Sequence, residues 1–180
     1  MNGLYITTDE NMIVPSQIGG ELLLCTGAPQ NMDDDNKLGL IVKSSNATKI
    51  IMGGTTGKII ARELNQEITV DLKPDPSKLP PVSYVNGIER VSEGVITMMA
   101  LKRFLIDFSA QNIVGKGIKY DLARLLLSHN PIIIVEGTKD NKAHWASNIP
   151  VVLERRQDLV KEIESILKNK YHKEVKHQYI

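Results

Sequence analysis

The sequence predicts an α/β protein with a three-layer αβα arrangement and a mostly parallel sheet, preceded by a short N-terminal β-hairpin. Short apolar runs end in glycine or small polar residues, and a segment with helical apolar spacing follows most of them. Hydrophobic residues make up 42% of the chain and charged residues 24%, as in ordinary globular proteins. With 180 residues, we expect one α/β domain over 21–180 and a hairpin or linker over 1–20.

The first 20 residues differ from the rest of the chain. Two short apolar segments, 4–8 and 12–14, flank the polar run 9–11, a pattern typical of a β-hairpin. A basic start and a continuous apolar stretch are both missing there, so we expect no signal peptide. The purest apolar run, Ile132–Val135, is far shorter than the roughly 20 residues that span a bilayer. We therefore expect a cytoplasmic protein that does not enter a membrane.

The first βα unit begins with a strand at 21–26, which contains Cys25 and is closed by 27–29. As the single cysteine, within an apolar run, Cys25 is expected to be a buried structural thiol. Acidic residues 33–35 then precede a helix. Clustered carboxylates suit hard cations, but consecutive residues rarely converge on one ion, whereas negative charge stabilises a helix start. We therefore expect helix capping there and no metal site.

The next units follow the same alternation. A strand at 48–52 leads through a turn at 53–56 into a helix at 57–64, and the alternating run 67–72 is a third strand. Segment 73–81 holds four of the eight prolines, which predicts a rigid loop.

The second half of the chain continues the alternation. Its predicted elements are a strand at 87–92, a long helix through Ile96 and Ile106, a helix at 121–129, a strand at 131–135, a loop at 136–150, a helix at 160–167 and a closing strand at 175–180. The strand at 131–135 is the most apolar, so we expect it to be central in the sheet.

The best candidate for chemistry is the segment 53–58, Gly-Gly-Thr-Thr-Gly-Lys, at a strand-to-helix junction. Glycines let a ligand approach the backbone, free N–H groups at a helix start favour an anion, and Lys58 adds positive charge. The spacing is neither that of a P-loop nor that of a dinucleotide fingerprint. A tight turn in which Thr55 or Thr56 caps the helix is the alternative interpretation.

Further glycine turns follow the other strands. In a parallel sheet all of them lie at the carboxyl edge, where open α/β sheets bind ligands. His144, in the loop after 136, could donate to an anion or transfer a proton, although it could equally well pack on the surface. The expected ligand-binding residues are Thr26, Gly27, Gly53, Gly54, Thr55, Thr56, Lys58, Glu93, Gly94, Gly137, Thr138 and His144. The sequence carries no zinc-ligand spacing and no nucleophile elbow, so we assign no metal ligand and no catalytic residue, and it names no cofactor.

Several motifs keep their order and together resemble a known family. They are Thr26-Gly27-Ala28-Pro29, Gly53-Gly54-Thr55-Thr56 before Ile60-Ala61-Arg62-Glu63-Leu64, Pro80-Pro81, Gly87-Ile88, Ser92-Glu93-Gly94-Val95-Ile96-Thr97, and Glu136-Gly137-Thr138 with Asn141 and Ala143-His144. This order resembles the C-terminal region of bacterial phosphatases related to sporulation stage II protein E, over about Glu21 to Ile180. Lys139 and Lys142 stand where that family has mostly neutral residues. The turn at Gly54 is also similar, in fold only, to the phosphosugar-sensing domains of some bacterial repressors.

The resemblance implies a companion domain of a PPM-type serine/threonine phosphatase. The acidic metal-binding motifs of the phosphatase domain itself are not found in this sequence. The expected function is therefore regulation or ligand sensing, with an anionic small molecule as ligand and a phosphatase catalytic domain as a further partner. Two alternatives stay open: an enzyme acting on a phosphorylated substrate, with Glu93, Glu136 or His144 transferring a proton, and a structural or partner-binding module. The net charge of +1 and aromatic content of 4% argue against nucleic-acid binding.

Overall fold

The computed structural model describes residues 5–7, 13–15, 19–109, 113–139 and 155–180. Within these ranges the chain forms nine strands and five helices. The strands are β1 (Tyr5–Thr7), β2 (Ile13–Pro15), β3 (Leu22–Thr26), β4 (Thr48–Met52), β5 (Thr69–Val70), β6 (Ser83–Tyr84), β7 (Arg90–Ser92), β8 (Ile132–Glu136) and β9 (Val175–Tyr179). The helices are α1 (Asp35–Ser44), preceded by a 3-10 turn at Met32–Asp34, α2 (Gly54–Glu63), α3 (Val95–Asp107), α4 (Ile118–Ser128) and α5 (Arg156–Asn169).

Seven strands form one mixed sheet in the order β5-β6-β7-β4-β3-β8-β9. The five strands from β7 to β9 are mutually parallel, and β5 and β6 extend them as an antiparallel edge. The α/β class with a mostly parallel sheet is therefore confirmed. In parallel βαβ units each strand leads into a helix that returns the chain to the start of the next strand. All five parallel strands consequently end at one edge of the sheet.

Helices cover both faces of this sheet. Because successive side chains of a strand point to opposite faces, Leu22 and Leu24 of β3 pack with α3, α4 and α5, whereas Leu23 and Cys25 pack with α1 and α2. Cys25 is 1% exposed, and burial raises the pKa of its thiol to about 12. The prediction of a buried structural thiol is thus confirmed.

Two expectations about the strands are wrong. The alternating run 67–72 contains only the two-residue strand β5, whose residues are exposed, and it pairs antiparallel with β6 instead of joining the parallel order. The apolar strand β8 is not central: it lies second from the edge, between β3 and β9. Its burial comes from the helices on its faces, and local hydrophobicity does not fix a strand's place in the sheet order.

The proline-containing segment 73–81 is attached to the start of α4 by Asp75. One oxygen of this carboxylate accepts the Ile118 N–H at 2.8 Å, and the other accepts the Ser77 N–H at 2.9 Å. Burial alone would raise the pKa of Asp75, but the hydrogen bonds from Ser77 and Ile118 outweigh it and lower that pKa. The predicted rigid loop thus supplies the N-terminal cap of a helix that begins about 40 residues later in the sequence.

The amino edge of the sheet, where the parallel strands begin, contains a buried histidine. His129 lies between α4 and β8, with Nδ1 2.7 Å from Leu125 O and 3.1 Å from Ser128 Oγ, and with Nε2 2.9 Å from Thr48 Oγ1. Its ring also packs against Gly19, where an added Cβ would lie 2.2 Å from the ring. Both ring nitrogens are therefore used inside the fold.

The ends of α3 and α4 also lie at the amino edge, where basic and phenolic side chains close them. Lys170 Nζ donates to Leu105 O at 3.0 Å and to Ile106 O at 2.6 Å, and the Tyr171 hydroxyl donates to Leu105 O at 2.8 Å. Lys173, which is 8% exposed, donates to Leu127 O at 2.5 Å, and burial lowers its pKa from 10.5 to about 8. The last carbonyls of both helices thus have partners.

The N-terminal strands β1 and β2 pair antiparallel in a separate two-stranded sheet, with Ile6 opposite Val14. This pairing agrees with the predicted hairpin. Within the described ranges, none of the helices has both the length and the apolar character needed to cross a bilayer.

Candidate functional site at the carboxyl edge of the sheet

The last residues of the five parallel strands lie in one row across the sheet. The strand register places Ser92 opposite Met52, Met52 opposite Thr26, Thr26 opposite Glu136, and Glu136 opposite Tyr179. These side chains share the face covered by α3, α4 and α5, because Leu24, Ile50 and Ile134, two residues earlier in their strands, pack there. We call this row the carboxyl edge. Adjacent strands lie about 4.8 Å apart, so about 14 Å separates Ser92 from Glu136.

Two helices begin at the β4–β7 end of this row, at what we call the Gly53–Gly94 junction. Gly53 precedes α2 and Gly94 precedes α3, and no described side chain caps either helix. The Gly53 N–H donates to Ser92 O at 2.8 Å, and a Cβ on Gly94 would lie 3.7 Å from the Gly53 Cα. Gly53 has φ +141°, a conformation that glycine adopts readily and other residues rarely adopt. The N-terminal N–H groups of two helices therefore converge on one small region.

Two buried hydroxyl groups at the Gly53–Gly94 junction have no hydrogen-bond partner in the described ranges. Ser92 is 3% exposed and Thr97, in the first turn of α3, is 0% exposed, yet neither Ser92 Oγ nor Thr97 Oγ1 forms a hydrogen bond. Buried polar groups in proteins are nearly always paired, so each exception calls for a physical explanation. A small ligand or an ordered water that donates to these oxygens, or accepts from them, would supply one.

Charged and hydroxyl groups surround the junction on its solvent side. Glu93 is exposed, and a Cβ on Gly54 would lie 2.9 Å from its Oε1, so this carboxylate packs against the first turn of α2. Thr55 and Lys58 are also exposed, Lys58 one turn further along α2, whereas Thr56 is buried. The helix includes Gly54, Thr55 and Thr56, so it begins three residues earlier than the sequence predicts.

The other predicted residues lie at the β3–β8 part of the carboxyl edge, and their polar atoms are used inside the fold. The Thr26 hydroxyl donates to Met52 O at 2.6 Å, and the Thr138 hydroxyl donates to Ile180 O at 3.3 Å. Gly27 and Gly137 are in contact, and a Cβ on Gly27 would lie 2.5 Å from Gly137 O. The Gly137 N–H donates to Thr26 O at 2.8 Å. These four residues hold neighbouring strands together.

A buried ionic network lies beside these turns. Glu136, at the end of β8, is 0% exposed, and its Oε2 is 3.1 Å from His177 Nε2. His177 Nδ1 is 2.7 Å from Glu164 Oε2, so the imidazole bridges two carboxylates. Arg156 Nε is 3.7 Å from Glu136 Oε1, and Arg156 Nη2 donates to Gly137 O at 2.7 Å. We call Glu136, Arg156, Glu164 and His177 the Glu136 network.

The acidic groups of this network have displaced pKa values. Burial raises the pKa of Glu136, although Arg156 and His177 partly oppose it. Burial would also raise the pKa of Glu164, but hydrogen bonds from Lys168 and His177 outweigh it and lower that pKa. Glu136 therefore keeps a proton to a higher pH than an exposed glutamate does, and Glu164 releases its proton at a lower pH.

The remaining predictions concern His144 and the aspartates before α1. His144 lies outside the described residues. Asp34 pairs with Lys37 at 2.5 Å and Asp35 with Arg62 at 2.6 Å, and all three acidic residues 33–35 lie in the 3-10 turn or first turn of α1. Their position at a helix start agrees with the prediction, but no side chain of this turn makes a capping hydrogen bond. Among the described residues, no group of three or more His, Cys, Asp or Glu side chains could hold a metal ion.

A shallow depression of about 280 Å³ lies at the opposite, amino edge of the sheet. Its lining residues are Ala47, Thr48, Lys49, Gly87, Ile88 and Glu89. None of these residues has a buried polar side-chain atom without a hydrogen-bond partner. Polar side chains that lack partners therefore distinguish the carboxyl edge from this depression.

Fold and site together define an α/β protein with a candidate ligand site at the carboxyl edge of its parallel strands. Comparison with known proteins gives no match to a family model, to a curated protein or to a solved structure.

The structure adds residues that the sequence analysis did not assign to the site. These residues come from α3, α5 and β9: Thr97, Arg156, Glu164 and His177. The contacts of the last three span 13 to 41 residues of sequence. The sequence does single out Glu136, because this one carboxylate ends the most apolar strand of the chain. The sequence does not single out Arg156 or His177, since no local spacing connects them to β8.

Proposed function

We propose that this chain is a regulatory or ligand-sensing domain that binds an anionic small molecule at the Gly53–Gly94 junction. The observation that carries the proposal is the pairing of two uncapped helix N-termini with the unpartnered hydroxyls of Ser92 and Thr97. Free N–H groups and the helix dipole favour negative charge at such a position. The two hydroxyls would exchange hydrogen bonds with the same ligand.

Glu93 restricts the chemistry of this ligand. Its carboxylate packs against the first turn of α2, where it would repel a bare anion. A ligand that presents hydroxyl groups beside its anionic group can donate hydrogen bonds to Glu93 and place its negative charge on the helix N-termini. We therefore expect a phosphorylated, hydroxyl-bearing metabolite to bind more tightly than inorganic phosphate. Lys58, one turn along α2, would add long-range attraction.

The biological setting that we propose is a phosphatase-type signalling system. It rests on the similarity of the glycine turns to the companion region of phosphatases related to sporulation stage II protein E. In that setting the domain would bind its ligand and pass the change to a phosphatase catalytic domain. The enzyme alternative would depend on Glu93 or His144 as the proton-transfer group, because Glu136 is enclosed by Arg156 and His177.

Isothermal titration calorimetry of the full chain tests the binding site. The probes are inorganic phosphate, ribose 5-phosphate, AMP and ATP. We expect saturable binding of at least one organic phosphate, and Ser92→Ala should weaken it about fivefold to tenfold, the value of one hydrogen bond. The matched control is Ser128→Ala, at the amino edge, which should leave the affinity within twofold. Absence of saturable binding by all four probes, or equal affinity of Ser92→Ala and the parent chain, would overturn the proposed site.

A second measurement separates sensing from catalysis. The chain is incubated with the tightest-binding probe and followed by phosphorus NMR. An unchanged spectrum supports a sensing domain, whereas conversion of the probe that Glu93→Gln abolishes supports the enzyme alternative.

A further inference from the structure

The Glu136 network connects three elements, β8, α5 and β9, which also share the hydrophobic core on one face of the sheet. Glu136 ends β8, Arg156 and Glu164 lie on α5, and His177 lies on β9. Strand β9 is at the edge of the sheet, and among the described strands it pairs with β8 alone. Its attachment therefore depends on the β8 ladder and on the side chains that reach it from α5.

The geometry requires a shared proton between Glu136 and His177. Each imidazole nitrogen lies within hydrogen-bond distance of a carboxylate oxygen, 3.1 Å for Nε2 and 2.7 Å for Nδ1. A carboxylate only accepts, so Nδ1 donates to Glu164, and the contact with Glu136 needs one proton, either on Nε2 or on Glu136 Oε2. Without that proton, a buried carboxylate would face the lone pair of Nε2, which is unfavourable for both groups.

Within the described part of the chain, the charged or titratable groups that act on this contact come from α5 and β9. They are Arg156, Lys161, Glu164 and Lys168 on α5, and His177 and Tyr179 on β9. Lys168 Nζ donates to Glu164 Oε1 at 2.6 Å, and the Tyr179 ring stacks on the imidazole with centroids 4.4 Å apart. The positive charges on α5 offset the negative charges of the two carboxylates. Loss of the shared proton therefore acts mainly on the Glu136–His177 contact, which loses its hydrogen bond.

The network also holds the turns at the carboxyl edge. Arg156 donates to Gly137 O and, at 3.3 Å, to Lys139 O, and its guanidinium packs on Gly27, where a Cβ would lie 2.2 Å from Nη1. Beyond Gly137, the Thr138 N–H donates to Ile180 O at 3.0 Å, directly after β9. A change in the attachment of β9 is therefore transmitted to residues 137–139.

We propose that the Glu136 network is a proton-dependent latch, which holds β9 and the turn at 137–139 in place while Glu136 and His177 share a proton and releases them when that proton is lost. Glu136 holds a proton to higher pH in the folded chain than in the unfolded chain, so its contribution to stability is present at low pH and is lost as pH rises through the raised pKa. Glu164 acts in the opposite sense only under strongly acidic conditions, because its pKa is lowered.

Amide hydrogen exchange of the full chain, followed by NMR from the ordinary glutamate pKa of 4.5 up to pH 9, tests the latch. Exchange rates are measured under conditions in which they report the equilibrium between closed and open amides. Each rate is then corrected for the pH dependence of exchange from an unprotected amide. We expect protection of the β9 amides and of Ile180, whose N–H donates to Glu136 O at 2.9 Å, to fall at least tenfold relative to β4 amides. A constant ratio of β9 to β4 protection across this range would overturn the proposal, and this comparison needs no variant.

The variant Glu136→Gln gives an independent check. A glutamine amide can donate to Nε2 of a neutral imidazole and turn its carbonyl toward Arg156, so it imitates the protonated carboxyl group at every pH. The β9 protection of this variant should be independent of pH between 4.5 and 9. If Glu136→Gln shows the same fall as the parent chain, a different group controls β9 and the latch is disproved. His129→Asn, at the amino edge, is the control that should keep the pH response of the parent chain.

Discussion

At the amino edge of the sheet, polar side chains close the ends of α3 and α4, whereas at the carboxyl edge α2 and α3 begin without side-chain caps. Lys170, Tyr171 and Lys173 donate to the last carbonyls of their neighbouring helices. The start of α4, which Asp75 caps from a distant loop, shows that this fold also caps a helix N-terminus with a side chain. The start of α1 also lacks a capping side chain, so the Gly53–Gly94 junction differs from it in bringing two such helix starts together beside two unpartnered buried hydroxyl groups.

The same contrast holds for buried side chains. His129 has a partner for each ring nitrogen, whereas Ser92 Oγ, Thr97 Oγ1 and Glu136 Oε1 form no hydrogen bond with the described residues. A chain under selection for stability alone satisfies its buried polar groups, and departures from this rule concentrate at functional sites. The amino edge thus supports the fold, and the carboxyl edge is where a ligand would complete the hydrogen bonding.

Among the substitutions that compare the two edges, the largest loss of stability is expected at His129. His129→Ala removes the contacts with Leu125 O, Ser128 Oγ and Thr48 Oγ1 and leaves a space against Gly19. We expect the free energy of unfolding, measured with urea, to fall by about 2 to 3 kcal/mol. A fall below about 0.5 kcal/mol would show that the amino edge is not a supporting region, and the comparison between the edges would fail.

A pH effect of intermediate size is expected at Lys173. Between pH 8 and pH 10.5 the unfolded chain keeps the lysine proton while the folded chain has released it, so the free energy of unfolding rises with pH. The rise should be about 1 to 2 kcal/mol, less than the full pKa shift gives, because part of the side chain stays in contact with water. In Lys173→Met this rise should be absent. If the free energy of unfolding of Lys173→Met rises by the same amount over this pH range, a group other than Lys173 causes the rise.

Much of the fold was predictable because local hydrophobicity determines it. The apolar runs that became β3, β4 and β8, and the glycine turns after them, fixed the α/β class and the edge where the turns meet. The exposed strand β5 was not predictable in its length or direction, since its pairing with β6 depends on the loop that returns the chain. The place of β8 beside β9 likewise depends on the order of crossovers, which local composition does not encode.

The candidate site was predictable only in part, for a similar reason. Glycines and threonines in strand-to-helix turns are visible in sequence, so Gly53, Gly54 and Gly94 were assigned correctly to one edge. Whether a hydroxyl is free or used depends on tertiary contacts: Thr26 donates to Met52 O, whereas Thr97 donates to nothing within the described part of the chain. Both are threonines near a glycine, and the sequence does not distinguish them.

The smallest expected effect is at Thr97, and its matched counterpart is Thr48. Thr97→Val and Thr48→Val make the same change of a hydroxyl to a methyl group, one at each edge. Thr48→Val leaves Nε2 of the buried His129 without its partner, so the free energy of unfolding should fall by about 1 kcal/mol. Thr97→Val removes a buried hydroxyl that has no partner, in a helix where valine and threonine have similar propensity, so stability should stay within about 0.5 kcal/mol or rise.

Urea denaturation of the ligand-free chain gives the free energy of unfolding of both variants. The prediction is tested by whether Thr97→Val is more stable than Thr48→Val. If Thr97→Val loses as much stability as Thr48→Val, the Thr97 hydroxyl has a partner in solution, such as an ordered water. This hydroxyl would then not be free to bind a ligand. If Thr97→Val is neutral or stabilising, the hydroxyl makes no favourable contribution to the folded state without a ligand. A ligand that pairs with this hydroxyl group would then account for its place at a fully buried position.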